Sequence, residues 1–299
     1  MDLAAAEEWI RAHVEPSAPV EPARERPWST VFRVPLADGA AWFKACAPVQ
    51  AFEPRLTAEL FSRWPDRVAH VLAHEDERAW LLTRDAGAPV RASGNPPETW
   101  LASLPLYAEL QGGEAAHADD HLEHGVPDLR VPTLPSRFEA LLARGLPLDD
   151  EELGRLREFA PRLADLCDEL AAQGVPDSVQ HDDLHHGSLY ELDGQRRFLD
   201  WGDASISHPF MSLVVTFRFL DEFNELAPGD PWFARLRDAY LEPWGSGLTE
   251  PFELAIRVGA FAHANAWLRQ RDALPEEARP DFDRWFRVIL QRALARTRE

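Results

Sequence analysis

The chain has 299 residues, with 51 Asp plus Glu against 31 Lys plus Arg and a formal net charge of −20. That length suffices for two lobes and a sizeable core, while the acidic balance argues against nucleic acid and anionic membranes as partners, since nothing offsets phosphate repulsion. Cys46 and Cys167 lack metal or redox spacing, the N-terminal stretch is acidic and no long apolar run follows, so a reducing, cytoplasmic setting is expected.

Residues 2–14 carry apolar spacing suited to an amphipathic helix. Pro16 to Pro27 reads as a linker rich in Pro, Arg and Glu. A strand follows from Trp28, a turn at Asp38-Gly39, and a second strand over 40–46. That second strand carries Lys44, the one lysine of the sequence. A compact ammonium on a flexible stem suits phosphate as a point charge. Pro54 marks a helix start beside Glu53, with Glu59 further along the same helix. Two strands, about 67–73 and 78–84, run into the polar turn Arg84-Asp85-Ala86.

Beyond that turn the patterns are helical, over 97–111, 136–144, 150–173, 208–220, 231–240, 250–271 and 280–296. His117, His121 and His124 recur at helical spacing and could share a Zn²⁺, but Asp and Glu interspersed among them read as a solvated helix. Neither Gly-x-Gly-x-x-Gly nor a P-loop occurs.

One stretch, 179–203, interrupts the helices and carries the chemistry. It reads Val-Gln-His-Asp-Asp-Leu-His-His-Gly-Ser, then a hairpin turning at Asp193-Gly194, then Leu-Asp-Trp-Gly-Asp. A loop with His181, Asp183 and Ser188 thus leads to a strand that delivers Asp200. The first carboxylate can orient and deprotonate a hydroxyl, and the second can hold the Mg²⁺ that bridges ATP phosphates.

The pattern His-x-Asp-x-x-x-x-(Asn/Ser), a hairpin and a hydrophobic-Asp-Trp resembles the aminoglycoside phosphotransferase and choline kinase-like superfamily. The resemblance implies an α+β, bilobal protein kinase-like fold, with a small antiparallel-sheet N-lobe and a larger, mostly helical C-lobe. It implies a nucleotide-binding lobe over 1–84 and a catalytic, acceptor-binding lobe over 85–299. By the same resemblance Asp183 is the base, assisted by His181, and Asp200 is the main metal ligand. Ser188 stands where the family usually has Asn as second metal ligand, and Asp182 where Gly is common. Lys44 would hold the phosphates of ATP, or alternatively GTP, with Glu53 as its partner and Glu59 as the runner-up for that place. Trp28, Ser29 and Thr30 are the candidates for covering those phosphates. The backbone of Arg84 and Ala86 would bond the adenine. The activity implied is transfer of the γ-phosphate to a hydroxyl of a small molecule, a cationic one being slightly favoured by the chain's charge. Two alternatives stand beside it: a catalytically impaired, pseudokinase-like nucleotide-binding module, and a metal-dependent hydrolase using His181, Asp183, His185 and His186.

Overall fold

Alternation builds the first layer. The computed structural model describes residues 2–227 and 229–298. In β2 (Ser29–Leu36), β3 (Gly39–Cys46) and β5 (Trp80–Arg84), Phe32, Val34, Ala41, Phe43 and Leu82 are buried on one face. Cross-strand register stacks Phe32 on Phe43 and Phe43 on Leu82. Helix α1 (Leu3–His13) covers that face with Ala6, Trp9 and Ile10. The Trp9 ring meets Phe43 and Trp80 edge-on at 5.8 and 5.7 Å. The opposite face, with Val31, Lys44 and Leu81 in register, is left to line a cleft.

The antiparallel sheet has the order β1-β2-β3-β5-β4, with β4 at Val71–Glu75. Its outer strand β1 (Glu21–Arg26) lies in what the sequence suggested was linker. All six of its residues are exposed, so no alternation marks it, and Pro22 is tolerated because the strand is an edge. Helix α2 (Glu53–Arg63) begins at Glu53 with Pro54 in its first turn.

The remainder is helical around one core, apart from short strand pairs. The helices are α3 (Pro97–Glu114), α4 (Ala118–Glu123), α5 (Leu134–Leu142), α6 (Asp150–Ala171), α7 (Leu213–Asn224), α8 (Pro231–Leu241), α9 (Thr249–Ala273) and α10 (Arg279–Arg296). The helix expected from 208 starts later, at Leu213, because His208 and Pro209 open a tight 3₁₀ turn first, with the Phe210 amide donating to His208 Nδ1. The short strands are β6 (Ala88–Pro89), β7 (Ser178–Gln180), β8 (Leu189–Leu192), β9 (Gln195–Phe198) and β10 (Ser205–Ser207). β8 and β9 form the expected hairpin, and β7 pairs with β10. This is an α+β, bilobal kinase-like architecture. Among the described residues no helix is long and apolar enough to cross a membrane.

The three histidines are not a solvated row. Their segment breaks into a 3₁₀ turn and α4, and His121 is fully buried. Its ring nitrogens lie 2.8 Å from Glu114 and 3.2 Å from Glu59. Arg63 and the Trp64 indole also donate to Glu114. Burial pushes the Glu114 carboxyl up, but His121, Arg63 and Trp64 together hold it down at about 2. Among the described residues no group of three or more His, Cys, Asp or Glu is arranged to hold a metal ion.

Candidate active site

The loop 181–188 is shaped by its own buried polar groups. Asp182 adopts φ +60°, a left-handed conformation that glycine takes freely and other residues at a cost of about 1–3 kcal/mol. Its carboxylate, 3% exposed as a residue, accepts hydrogen bonds from Gln180 and Ser205, which face each other across β7 and β10. Those bonds offset the strain and explain how Asp stands at a position suited to Gly. Burial raises its carboxyl to about 6 against those two bonds.

His181 lies beneath the loop, fully buried, with its ring 4.7 Å from that of Trp201. Its amide donates to Tyr107 Oη at 3.0 Å. Its Nε2 lies 2.8 Å from the Leu199 carbonyl, which can only accept, so Nε2 carries the proton. That leaves Nδ1 to accept from the Asp183 amide at 3.4 Å. One ring therefore ties the loop to the chain just before Asp200. Burial holds its pKa below the ordinary value.

Asp183 points outward. His185 Nε2 lies 3.2 Å from its Oδ2, and His185 Nδ1 accepts from the Gly187 amide at 2.7 Å. Burial pushes the Asp183 carboxyl up, but the His185 bond and the charges of His185 and His181 bring it below the ordinary value. The kinase-like pattern gave His185 no part, and only the hydrolase alternative named it; its contact with Asp183 depends on how the loop turns back at Gly187.

Asp200, at φ +68°, follows β9. Lys44 Nζ lies 2.5 Å from Asp200 Oδ1 and 2.6 Å from Glu53 Oε2. Arg24 on β1 reaches the second oxygen, Asp200 Oδ2, at 3.2 Å. Burial opposes ionisation, yet Lys44 and then Arg24 hold the Asp200 carboxyl well below its usual range. The Lys44 ammonium is raised despite its own burial, by Asp200 and Glu53. Glu59, the other candidate partner of Lys44, instead meets Arg55, His121 and His124.

Asp183 and Asp200 open into different spaces. Asp200, Lys44 and Glu53 close the polar end of a cleft of about 310 Å³, whose apolar wall includes Val31, Ala69 and Leu81. Asp183 faces a cavity of about 200 Å³ with Asp182, Asp203, Trp28, His263 and Trp267.

No protein-family model matches the sequence, and no curated protein matches it. Solved structures do. Choline kinase from Cryptosporidium parvum Iowa II superposes with a TM-score of 0.69 at 10% identity, over 99% of this chain and 96% of its own. Choline kinase LicA from Streptococcus pneumoniae gives 0.63 at 11% identity, over 97% and 98%. The GDP complex of aminoglycoside 2′-phosphotransferase-IIIa gives 0.62 at 16% identity, over 99% of each chain. The fold is that of the choline kinases and aminoglycoside phosphotransferases.

Within this kinase-like fold, the remaining candidates from the sequence separate. Ala86 lines the cleft with Thr83, Asp85 and Gly87. Arg84 does not: its amide donates to the His70 carbonyl at 2.8 Å and its guanidinium pairs with Asp38. Ser29 and Thr30 are also absent from the cleft wall, where β1 supplies Ala23 and Arg24 instead. Ser29 is buried at the start of β2. The Ser188 hydroxyl accepts from the His185 amide at 2.9 Å and lies 2.9 Å from the Asp183 carbonyl, to which it can donate. It is 2% exposed and lines neither space.

Proposed function

We propose that the chain is a nucleotide-dependent phosphotransferase that moves the γ-phosphate of ATP, or of GTP, to a hydroxyl of a small molecule. The carrying observation is that one loop-and-hairpin unit presents Asp183 and Asp200 to two separate spaces. A nucleotide in the larger cleft would place its phosphates at Lys44 and Asp200, and an acceptor in the smaller cavity would meet Asp183. In this reading residues 1–84 supply most of the nucleotide wall, and 85–299 supply the base and the acceptor space.

Asp183 accepts the acceptor's proton, and its lowered pKa keeps it ionised for that task. His185 aims that carboxylate through its hydrogen bond. His181 has both ring nitrogens committed beneath the loop, so we assign it to positioning. Lys44, held by Glu53, neutralises the phosphates. Arg24 is a second cation at the same place. The backbone of Ala86 and Gly87 takes the base of the nucleotide, because the amides of Arg84 and Asp85 already donate to the His70 and Ala40 carbonyls.

Asp200 fits Mg²⁺, which is bound in such sites by one or two carboxylates plus substrate phosphates. When bound, Mg²⁺ supplies charge neutralisation on the β- and γ-phosphate oxygens. Ser188 fits a ligand role poorly, because its hydroxyl serves the loop backbone, and we assign it to bracing Asp183 and His185. That commitment is also what favours the second reading, a nucleotide-binding module without turnover. Incubation with labelled ATP, Mg²⁺ and a panel of alcohols distinguishes the two. Labelled product that vanishes in Asp183→Asn supports transfer, and nucleotide binding without product from any alcohol supports the module.

A further inference from the structure

A third space, of about 460 Å³, lies among α7, α8, α9 and α10. Phe217, Phe233, Phe252 and Ile256 give it an apolar wall. His263 of α9 borders both this space and the cavity at Asp183, so the two adjoin.

Most charges around this cavity are already compensated. Arg237 pairs with Glu253 at 3.0 Å and Asp238 at 2.9 Å, and Arg292 with Glu222 at 2.5 Å. Asp230 accepts the Trp232 amide at the start of α8. Arg218 is the exception. No carboxylate among the described residues comes within ion-pair distance of it, and its Nε is buried without a hydrogen-bond partner. Its guanidinium lies 4.7 Å from the ring of Phe219. The carboxylates that act on it electrostatically are Asp183 and Glu222.

His263 adds a second unused donor. The Trp267 indole donates to its Nε2 at 3.1 Å, which puts the proton of a neutral ring on Nδ1. That Nδ1 has no partner, and the residue is 5% exposed. Burial, then the charge of Arg218, hold the ring neutral by lowering its pKa to about 3. A buried donor left unpaired costs about 1–3 kcal/mol. Arg218, without an ion pair among the described residues, and His263, with an unpartnered N–H, line one space, and that pairing suits an oxyanion.

We propose that the acceptor is an anionic alcohol, a molecule with an apolar body, a hydroxyl and a carboxylate, whose carboxylate is received by Arg218 and the Nδ1–H of His263. This deepens the phosphotransferase reading and rests on it for the role of Asp183. The hydroxyl end lies in the cavity at Asp183 and the apolar body in the space beyond His263. In the transfer, the acceptor oxygen forms a bond to the γ-phosphorus. The bond from that phosphorus to the β–γ bridging oxygen breaks, a nucleoside diphosphate leaves, and the hydroxyl proton passes to Asp183. The chain's overall negative charge therefore does not describe its acceptor site.

The test is calorimetric binding to the full chain of three matched probes: para-hydroxymethylbenzoate, its amide, and the corresponding benzylamine. Longer omega-hydroxydecanoate, with its amide and amine, covers reach. Within a series the carboxylate should bind roughly tenfold or more tightly than the amide and the amine, the scale of a charge-assisted hydrogen bond. Arg218→Gln should erase that preference, and Arg218→Lys should keep part of it. Melting curves check that both variants fold. No binding of either carboxylate, equal binding across each series, preference for the amines, or selectivity unchanged in Arg218→Gln overturns the proposal. ATP titrated into the same samples reads the phosphotransferase assignment separately: carboxylate selectivity with no ATP binding would remove that assignment and leave the anion site standing.

Discussion

His185 Nε2 lies 3.2 Å from Asp183 Oδ2, while the other nitrogen of the same ring accepts the Gly187 amide. The imidazole is thus fixed at both ends and presents an N–H to the proposed base. Replacing it with Ala removes the main group that lowers the Asp183 pKa against burial. The Asp183 pKa should rise, so the acid limb of kcat/KM should move to higher pH in His185→Ala. Asp183→Asn should cost roughly a hundred- to ten-thousand-fold in kcat, the range for loss of a general base, with nucleotide affinity retained. A pH–rate profile of each variant checks this. An acid limb that stays in place in His185→Ala would dissociate the pair.

Lys44 and Glu53 form a buried pair, with Asp200 on the other side of the ammonium. Lys44→Met should lower kcat/KM for nucleotide by roughly a hundredfold, comparable to removing one preorganised donor from a phosphoryl-transfer site. Glu53→Gln should have a smaller effect in the same direction, because Asp200 still holds the lysine. Steady-state kinetics against ATP concentration measures both. Equal losses in the two variants would mean that Glu53 acts by more than positioning.

Ser188 separates bracing from metal binding. Ser188→Ala leaves the part-buried His185 amide without its acceptor, which should cost about 1 kcal/mol of stability. The Mg²⁺ concentration for half-maximal activity should be unchanged. Urea titration and an Mg²⁺ titration read the two effects apart. A raised Mg²⁺ requirement at unaltered stability would restore the metal role that the sequence suggested.

Away from the site, Glu114 is a buried carboxylate held by Arg63, Trp64 and His121. Its pKa falls from an ordinary 4.5 to about 2, so its contribution to stability is present above 4.5 and is lost as pH falls toward 2. Glu114→Gln should destabilise the protein by about 3 kcal/mol at neutral pH, the lower end for breaking a buried ion pair. The gap between variant and parent should narrow below pH 4.5. Urea melts of both proteins from neutral to acidic pH follow it.

Legibility in the sequence tracked how local the signal was. Lys44 was visible as an isolated lysine on an apolar strand, and the family resemblance pointed to Glu53, over Glu59, as its partner. The loop and hairpin from His181 to Asp200 carried their own turn residues and read directly. Arg24 was hidden, because an edge strand exposed on all sides has no period to detect. Arg84 stands at a strand end, where the His70 carbonyl already takes its amide, a pairing that the sequence does not mark. That Arg218 and His263 line one space depends on how α7 packs against α9, and no short window of sequence encodes that. Ser188 was read by position, whereas its bonds are decided by the tight return of the loop.

The central claim is that the cleft at Lys44 and Asp200 binds a nucleotide. Calorimetric titration of ATP and GTP into the parent chain and into Lys44→Met, with and without Mg²⁺, tests it most directly. One of the two should bind the parent near-stoichiometrically, more tightly with Mg²⁺ and much more weakly in Lys44→Met. No binding of either nucleotide, or equal binding in Lys44→Met, would contradict it.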